Sequence, residues 1–313
     1  MLCLLGPTAS GKSALAMAMA HADPRIEIIS LDSAQVYRGM DIGTAKPDLK
    51  ERQAVRHHLI DLIDPSESFS AARFVDAAAR AAREIRQRGG IPLMVGGTML
   101  YFKAYAEGLD DLPGAPADVR ASIALEAKAL GWPAMHARLA STDPVTAARL
   151  HPSDAQRISR ALELHAATGM TMTELIQQSH DRMGPRVSDR EALTAVALLP
   201  EDRATLHRRI QERFMAMIAS GLLDEVRHLM ARGDLREEMP SMRCVGYRQA
   251  WCHLAGRISR DEFIEAGVAA TRQLAKRQIT WIRSFQNVTR LDPWTSQGMR
   301  QWEVIRASSL DAC

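Results

Sequence analysis

The most specific chemical signal is a glycine-rich segment near the N-terminus, Gly6-Pro7-Thr8-Ala9-Ser10-Gly11-Lys12-Ser13, which we call the phosphate loop. It matches the pattern G-x-x-x-x-G-K-[ST], in which glycines let backbone N–H groups face one concavity and the following helix adds partial positive charge. Lys12 can neutralise phosphate and Ser13 can bind Mg²⁺. The loop predicts a site for a di- or triphosphate with Mg²⁺ as cofactor, but it does not specify the compound.

A carboxylate follows a second apolar run. Asp32 comes directly after Ile26–Leu31, so in a parallel sheet it would face the same crevice as the phosphate loop. It could help to hold Mg²⁺ or accept a proton from a nucleophile, and a turn or helix N-cap aspartate is the structural alternative. Residues 32–37 provide a carboxylate, a hydroxyl, an amide and a phenol, a set that suits hydrogen bonding to a nucleobase edge.

These groups need a scaffold that brings them together. Short apolar runs are the predicted strands, at Leu2–Leu5, Ile26–Leu31, Ile91–Val95 and Thr194–Leu199. Helical stretches lie between the first three, at 13–19 and at about 71–88. We therefore expect an α/β fold of the P-loop three-layer type, a parallel sheet flanked by helices, with strands that end at Gly6, Asp32 and Gly96-Gly97-Thr98.

The pattern changes after about residue 108, where Pro113, Gly114 and Pro116 form a cluster of helix breakers. Residues 118–178 then show almost continuous helical periodicity, up to a second breaker-rich stretch at 183–188. We expect an all-helical insertion domain at 109–185 and a catalytic core formed by 1–108 and 186–313.

Three amphipathic helices are predicted in the C-terminal part of the chain, at about 203–219, 222–232 and 261–285. In the last of them the apolar side chains share one side, and Arg272, Lys276 and Arg283 share another. One face is predicted to be core and the other to be a basic surface.

The composition is that of an ordinary folded protein, since 46% of the 313 residues are hydrophobic and 25% are charged. The net charge of +3 is too small to indicate a nucleic-acid-binding protein by itself. The four cysteines are scattered, which predicts neither a zinc knuckle nor a disulfide framework. No apolar run approaches the length of a membrane span and no leader pattern is seen, so we expect a cytoplasmic protein without a membrane partner.

A pair of histidines, His57 and His58, lies near Asp61 and could suggest a metal site. Adjacent histidines need not face one point, however, and no third ligand has a recognisable spacing. A role in local structure is the better interpretation.

The sequence resembles the tRNA dimethylallyltransferase (tRNA isopentenyltransferase) family over most of its length. Besides the phosphate loop, the matching segments are Asp32–Tyr37, Met40–Pro47, Val95–Thr98, Arg243–Arg248 and Lys276–Arg283. The zinc-finger extension of eukaryotic members is missing, so the chain looks like a bacterial-type member. The resemblance implies Mg²⁺-dependent transfer of a dimethylallyl group from dimethylallyl diphosphate to the N6 amine of adenosine 37, beside the anticodon, in tRNAs that read codons beginning with U.

The resemblance also implies roles for single residues. Asp32 would be the base toward N6, Thr98 would place a hydroxyl near the reacting centre, and Arg213 would hold the diphosphate. The exocyclic adenine amine is a poor nucleophile because its lone pair is delocalised, so the reaction needs a good leaving group and a base. Diphosphate is such a leaving group, and the phosphate loop with Mg²⁺ would stabilise the charge that develops on it.

Basic and aromatic residues are interleaved in two of the matching segments, as phosphate attraction and base stacking require. Trp281 borders the apolar face of its helix, so it is either core or a stacking platform. The resemblance implies contacts with the tRNA anticodon stem-loop at Asp32, Ser33, Ala34, Gln35, Thr98, Arg120, Gln156, Arg157, Ile158, Ser159, Arg160, Arg243, Cys244, Val245, Gly246, Tyr247, Arg248, Lys276, Arg277, Gln278, Ile279, Thr280, Trp281, Ile282 and Arg283. We expect a monomer that draws the target base into a channel between the core and the insertion.

Three other functions share some of these features. A P-loop kinase of a small metabolite would use Asp32 as base and ATP in the loop, but it leaves the basic C-terminal helix unused. A nucleotide-dependent switch that binds RNA is a second possibility. The sequence has no N-K-x-D pattern for guanine recognition, since Ala45 precedes Lys46-Pro47-Asp48, and this argues against a GTPase. An isopentenyltransferase for free AMP would need neither the insertion nor the basic segments.

Overall fold

The computed structural model describes residues 1–108, 112–182 and 193–311. Its strands are Leu2–Leu5 (β1), Ile26–Leu31 (β2), His57–His58 (β3), Ile91–Gly96 (β4), Thr194–Leu198 (β5) and Thr289–Leu291 (β6). They form one sheet of parallel strands in the order β3-β2-β4-β1-β5-β6. The predicted α/β architecture is confirmed. The sequence analysis did not find β3 and β6, because two or three residues at the edge of a sheet are too few to show a periodicity.

Helices connect and cover these strands. They are Lys12–Ala22 (α1), Leu49–Ala54 (α2), Ala71–Gln87 (α3), Met99–Glu107 (α4), Ala117–Leu130 (α5), Trp132–Thr142 (α6), Pro144–Ala148 (α7), Ala155–Thr168 (α8), Met172–Arg182 (α9), Arg203–Ala219 (α10), Leu222–Ala231 (α11), Tyr247–Leu254 (α12), Arg260–Ser284 (α13) and Ser296–Asp311 (α14). The predicted bounds of α3, α10, α11 and α13 agree with these to within one residue. None of the helices in the described parts of the chain is long and apolar enough to cross a membrane.

The sheet lies between two layers of helices because its strands are apolar on both faces. On one face Cys3, Leu5 and Ile29 pack against Phe74 of α3 and Ile282 of α13. On the other face Leu2, Leu4, Val95 and Val196 pack with Ala16 of α1 and Trp302 of α14. A parallel sheet covered on both sides leaves its carboxyl edge as the place where polar side chains collect.

A third apolar cluster lies beside the sheet. It joins α10, α11, α12 and α13 to residues 36–40, with Phe214, Tyr247 and Phe263 among its buried side chains. The cluster holds α10 and α13 together, and both helices contribute side chains to the functional site described below.

The chain divides into two compact units, residues 1–107 with 187–313 and residues 108–186. In the second unit the described regular elements are the helices α5 to α9, and Ile123, Met135, Leu139, Ile158 and Leu162 belong to its core. The predicted junction of insertion and core at 185/186, like the breaker-rich stretch at 183–188, lies outside the described residues.

Candidate functional site

The strand register aligns three predicted site segments at one edge of the sheet. Leu5 of β1 and Leu31 of β2 both lie opposite Gly96 of β4. The next residues along each chain segment are therefore Gly6, Asp32 and Gly97, and the phosphate loop, the carboxylate and the Gly97-Thr98 turn start side by side. The sequence analysis predicted this grouping from the rule that ligands collect at the carboxyl ends of parallel strands.

The phosphate loop curls between β1 and α1 as the motif requires. Gly11 caps α1 with φ of +97°, a left-handed conformation that favours glycine. The Ser10 hydroxyl is buried and has no hydrogen-bond partner in the described structure, and Lys12 Nζ donates to Pro7 O at 3.2 Å. A buried hydroxyl without a protein partner in this loop suits a site that is completed by phosphate oxygens.

Asp32 shapes a turn, as the structural alternative expected, and it also lines the cavity. Its Oδ1 atom accepts hydrogen bonds from the backbone N–H groups of Ala34 at 2.8 Å and of Gln35 at 3.4 Å. Its Oδ2 atom accepts no hydrogen bond from the described residues. One carboxylate oxygen therefore fixes the orientation of the side chain, while the other remains available to a substrate.

Thr98 is fixed against the same turn. Its backbone N–H and that of Gly97 both donate to Leu31 O, at 3.1 and 3.2 Å, and its Oγ1 atom accepts from the Ser33 N–H at 3.0 Å. A Cβ atom on Gly96 would lie 2.1 Å from Leu31 O, so this close approach of β2 and β4 requires glycine. The Thr98 hydroxyl is thus hydrogen-bonded to Ser33, the residue that follows Asp32.

These segments open into a cavity of about 530 Å³ within the first unit. Lys12, Ser13, Asp32, Thr98 and Arg213 all line it. Arg213 is half-buried and makes no hydrogen bond or ion pair with the residues that the structure describes. Arg243 and Arg277 line the cavity as well. Four cations and one carboxylate that face the same space suit a substrate with a concentrated negative charge and a proton to lose.

The charges in the cavity influence each other's titration. Burial and the nearby charge of Arg213 lower the pKa of Lys12 to about 8, while Asp32 opposes this shift. Burial also lowers the pKa of Arg213, again against the attraction of Asp32. Burial and the Asp32 carboxylate raise the pKa of the Cys244 thiol to about 12, so Cys244 lines the cavity as a neutral group. A bound polyanion would relieve the electrostatic repulsion between Lys12 and Arg213.

Much of the remaining wall is apolar. Its larger side chains are Met99, Leu100, Ile210, Phe214, Met217, Val245, Leu274 and Trp281. Arg213 thus lies among apolar neighbours of α10, and Phe214 is fixed against Gly267, where an added Cβ would come within 2.1 Å of its ring. Trp281 is half-buried, and its ring centroid lies 6.4 Å from that of Phe285 in an edge-to-face contact. It therefore contributes both to the core and to the cavity.

Glu225 is a site-shaping residue that the sequence analysis missed. Its carboxylate accepts hydrogen bonds from the backbone N–H groups of Asp41 and Ile42 at 2.8 Å and of Gly43 at 3.2 Å. It also accepts the Tyr247 hydroxyl at 2.5 Å. These bonds hold a turn whose Gly43 and Thr44 line the cavity, but a glutamate on an amphipathic helix carries no local signal of such a contact.

Several predicted tRNA contacts point into the protein. Tyr247 is fully buried, and the side chains of Ile158 and Ile282 are fully buried as well. These three side chains are therefore not available at the surface, and a tRNA contact at their positions stays a prediction. The cause is helical geometry, since a continuous segment of a packed helix always turns some residues toward the core. The Gln35 side-chain amide accepts the Ser30 hydroxyl at 2.8 Å and donates to Ala45 O at 3.2 Å.

Other predicted contacts lie on the surface. Arg243, Arg248, Lys276, Arg277, Thr280 and Arg283 are exposed. On α13 this gives the predicted basic face, although Arg272 is only half-exposed. In the helical unit Arg120, Gln156 and Arg157 are exposed; Arg157 pairs with Asp154 at 2.5 Å, Ser159 donates to Glu163, and Arg160 donates to Pro113 O at 2.9 Å.

The histidine pair has local contacts. His57 Nδ1 lies 2.8 Å from Val55 O, and His58 Nε2 lies 2.6 Å from Glu27. Asp61 instead pairs with Lys46 and Arg52. The interpretation of His57 and His58 as part of local structure agrees with these contacts.

Comparisons with known proteins identify relatives over nearly the whole chain. A family model described as IPP transferase matches residues 35–285. The chain is 56% identical over 291 residues to a tRNA dimethylallyltransferase of Ralstonia pickettii, an alignment that covers 90% of this chain and 87% of that protein. The structure is similar to that of a full-length tRNA isopentenylpyrophosphate transferase from Bacillus halodurans, with a TM-score of 0.68, 36% identity, and coverage of 100% and 99% of the two chains.

The fold is also shared with a eukaryotic dimethylallyltransferase acting on tRNA. The TM-score is 0.80 and the match covers 100% of this chain and 79% of the other. Because the identity is 24%, this likeness concerns the fold alone.

Proposed function

The chain belongs to the IPP transferase family, and on that premise we propose that it transfers a dimethylallyl group from dimethylallyl diphosphate to the N6 amine of adenosine 37 in tRNAs that read codons beginning with U. The products are N6-(dimethylallyl)adenosine and diphosphate. We place the reaction in the cytoplasm and expect a monomer.

One observation carries the proposal: Lys12, Arg213 and Asp32 face the same cavity, and that cavity has an apolar wall. Lys12 and Arg213 suit the diphosphate, and among the described residues the half-buried Arg213 has no anionic partner at hydrogen-bond distance. The apolar side chains suit the five-carbon group, which gains by leaving water. The carboxylate suits the proton that the amine must lose.

The chemistry follows from these positions. The N6 nitrogen bonds to the terminal CH₂ carbon of the dimethylallyl group, and the bond from that carbon to the diphosphate oxygen breaks. The electron pair of the broken bond leaves with the diphosphate, whose added charge faces Lys12, Arg213 and the backbone N–H groups of the phosphate loop. The proton on N6 passes to the free Oδ2 atom of Asp32, which the Ala34 N–H holds in place through Oδ1.

Thr98 supports the same step. Its hydroxyl oxygen accepts the Ser33 N–H at 3.0 Å, and its hydrogen is donated to Ser33 Oγ in a longer bond of 3.3 Å. Rotation of the hydroxyl away from Ser33 Oγ would present that hydrogen to an acceptor in the cavity. An adenine ring nitrogen is such an acceptor. We assign Thr98 to the placement of the target base beside Asp32.

The residues present fit Mg²⁺. Ser13 is exposed at the start of α1, and its hydroxyl has no protein partner in the described structure. Within the same residues, no three His, Cys, Asp or Glu side chains cluster as a metal site. Mg²⁺ commonly combines few protein oxygens with substrate phosphates and water, so Ser13 would hold it together with diphosphate oxygens. When bound, the ion would neutralise charge on the leaving group.

The exposed cations of α13 and of residues 243–248 are the proposed contacts for the tRNA backbone. Sequence-specific recognition of RNA targets unpaired loops, whose bases can be turned out of their stack. We propose that the target base is turned out in this way and enters the cavity beside Asp32.

The deciding experiment is incubation of the purified protein with Mg²⁺, labelled dimethylallyl diphosphate and unmodified tRNA. Parallel reactions contain ATP, AMP or a tRNA without the target adenosine. Label in tRNA that depends on that adenosine is the expected result. Label in AMP, or ATP turnover without prenyl transfer, would contradict the proposal while leaving a functional phosphate loop.

A further inference from the structure

The side chain of Gln278 bridges two loops of the cavity from the middle of α13. Its Oε1 atom accepts the backbone N–H of Thr8 at 2.9 Å, and its Nε2 atom donates to Gly97 O at 2.8 Å. The first contact lies in the phosphate loop and the second in the turn that carries Thr98. One amide therefore ties α13 to both.

Only an amide of this length suits both contacts. The bridge needs an acceptor for the Thr8 N–H and a donor for Gly97 O, and glutamine supplies both from one planar group. The fit is tight, because a Cβ atom on Gly97 would lie 2.4 Å from Gln278 Nε2. Glutamate keeps the acceptor but places a second oxygen against the Gly97 carbonyl, and leucine keeps neither bond.

The same helix carries the proposed tRNA surface. Lys276, Thr280 and Arg283 are exposed on α13 and do not line the cavity, Arg277 is exposed at its rim, and Gln278 is half-buried and lines it. A ligand that holds the exposed side of α13 therefore restrains, through a side chain one or two residues away, the loop that receives the diphosphate.

We infer that Gln278 is a positioning residue that couples tRNA binding on α13 to diphosphate binding in the phosphate loop. The inference rests on the proposed function. A tRNA held on α13 fixes the helix, and the bridge then fixes the Thr8 segment before the diphosphate arrives. The diphosphate therefore meets a loop that has less freedom left to lose. Coupling of this kind is reciprocal, so each ligand tightens the binding of the other by the same factor.

The test measures dissociation constants by calorimetry with dimethylallyl S-thiolodiphosphate, in which a bridging sulfur slows the reaction. Each protein is titrated with and without saturating unmodified tRNA. In the wild-type protein we expect tRNA to tighten binding of the probe by about fivefold or more. The coupling ratio is the dissociation constant of the probe without tRNA divided by that with tRNA. In Gln278→Leu and in the isosteric Gln278→Glu we expect this ratio to fall to within about twofold of one.

The matched control is Gln273→Leu, which removes an exposed glutamine of the same helix that does not line the cavity. It should keep the wild-type ratio. A merely structural role of Gln278 would weaken the probe equally with and without tRNA, and that result would overturn the inference. A wild-type ratio near one would overturn it as well.

The transfer assay on the wild-type protein separates this inference from the proposed function. Wild-type transfer with an unchanged ratio in both Gln278 variants would overturn the coupling alone. Absence of tRNA-dependent transfer in the wild-type protein would overturn the proposed function and, with it, the coupling.

Discussion

The hydroxyl of Tyr247 donates a 2.5 Å hydrogen bond to Glu225, whose carboxylate also binds three consecutive backbone N–H groups of residues 41–43. Burial and the neighbouring Glu225 raise the pKa of Tyr247, so its hydroxyl remains a donor. A Cβ atom on Gly43 would lie 2.5 Å from the Tyr247 ring. Tyr247, an aromatic residue in the basic segment 243–248, thus supports the turn that lines the cavity from the protein interior.

Removal of that hydroxyl tests the internal role of Tyr247. A hydrogen bond to a charged group contributes roughly 1.5–3 kcal/mol, and Tyr247→Phe should lower the free energy of unfolding by that amount. Denaturant titration measures the loss. Affinity for tRNA should stay within about twofold of wild type. Loss of a base-stacking contact would instead cost about 1–3 kcal/mol of binding free energy, which is a larger change. A large loss of tRNA affinity without a loss of stability would return Tyr247 to the tRNA surface.

Asp32→Asn separates proton transfer from turn geometry. The asparagine oxygen can still accept the Ala34 N–H, whereas the carboxylate that takes the proton is gone. Transfer under single-turnover conditions should slow by about 10²–10⁴-fold, the usual contribution of a general base. Affinity for tRNA, measured by filter binding, should remain. Equal losses of transfer and tRNA binding would show that Asp32 is structural.

Arg283→Ala tests the basic face of α13. Loss of one phosphate contact should weaken tRNA binding and reduce the slope of log affinity against log salt by about 0.7–0.9. Titrations at several salt concentrations measure both quantities. The control is Arg83→Ala, which removes an exposed arginine of α3. Unchanged affinity in Arg283→Ala would remove this residue from the interface.

Chelation of Mg²⁺ should stop transfer, and addition of Mg²⁺ should restore it. Ser13→Ala should raise the Mg²⁺ concentration for half-maximal transfer by roughly tenfold or more, about 1.4 kcal/mol of binding free energy, because it removes the protein oxygen that is proposed to bind the ion. Ser220→Ala removes an exposed serine outside the cavity and serves as control. Full transfer in excess chelator would exclude a metal requirement.

The pH dependence of stability should reveal the ion cluster around Lys46. This buried ammonium lies 2.6 Å from Asp61 and 2.5 Å from Asp41, and Arg52 also pairs with Asp61. Burial alone would raise the pKa of Asp61. The hydrogen bonds and charges of Lys46 and Arg52 outweigh burial and hold this pKa below its ordinary value. The stabilisation is therefore present above the unfolded pKa of about 3.9 and is lost as the pH falls through the folded value.

Asp61→Asn is the corresponding variant. It should lower the free energy of unfolding at pH 7 by roughly 1.5–3 kcal/mol, and the difference from wild type should shrink below about pH 4. Urea titrations at pH 7, 5 and 3 provide the measurement. A difference that stays constant down to pH 3 would contradict the role assigned to this pair.

Local patterns in the sequence were sufficient for the phosphate loop, for the main strands and for the position of Asp32 at a strand end. Each depends on a few consecutive residues: a motif, an apolar run and the residue that follows it. The parallel sheet followed from the alternation of strands and helices, because parallel strands need a crossover connection of about a dozen residues or more, which is usually a helix.

The roles of Gln278, Glu225 and Tyr247 depended on the tertiary structure. A polar residue on a helix looks the same in the sequence whether it faces water or bonds a distant backbone group, because its partners lie far away along the chain. Gln278 is separated from Thr8 by 270 residues, and Glu225 from Asp41 by 184. Only the packing of α11 and α13 against the loops at the carboxyl edge of the sheet determines which of their polar side chains turn inward to shape the site.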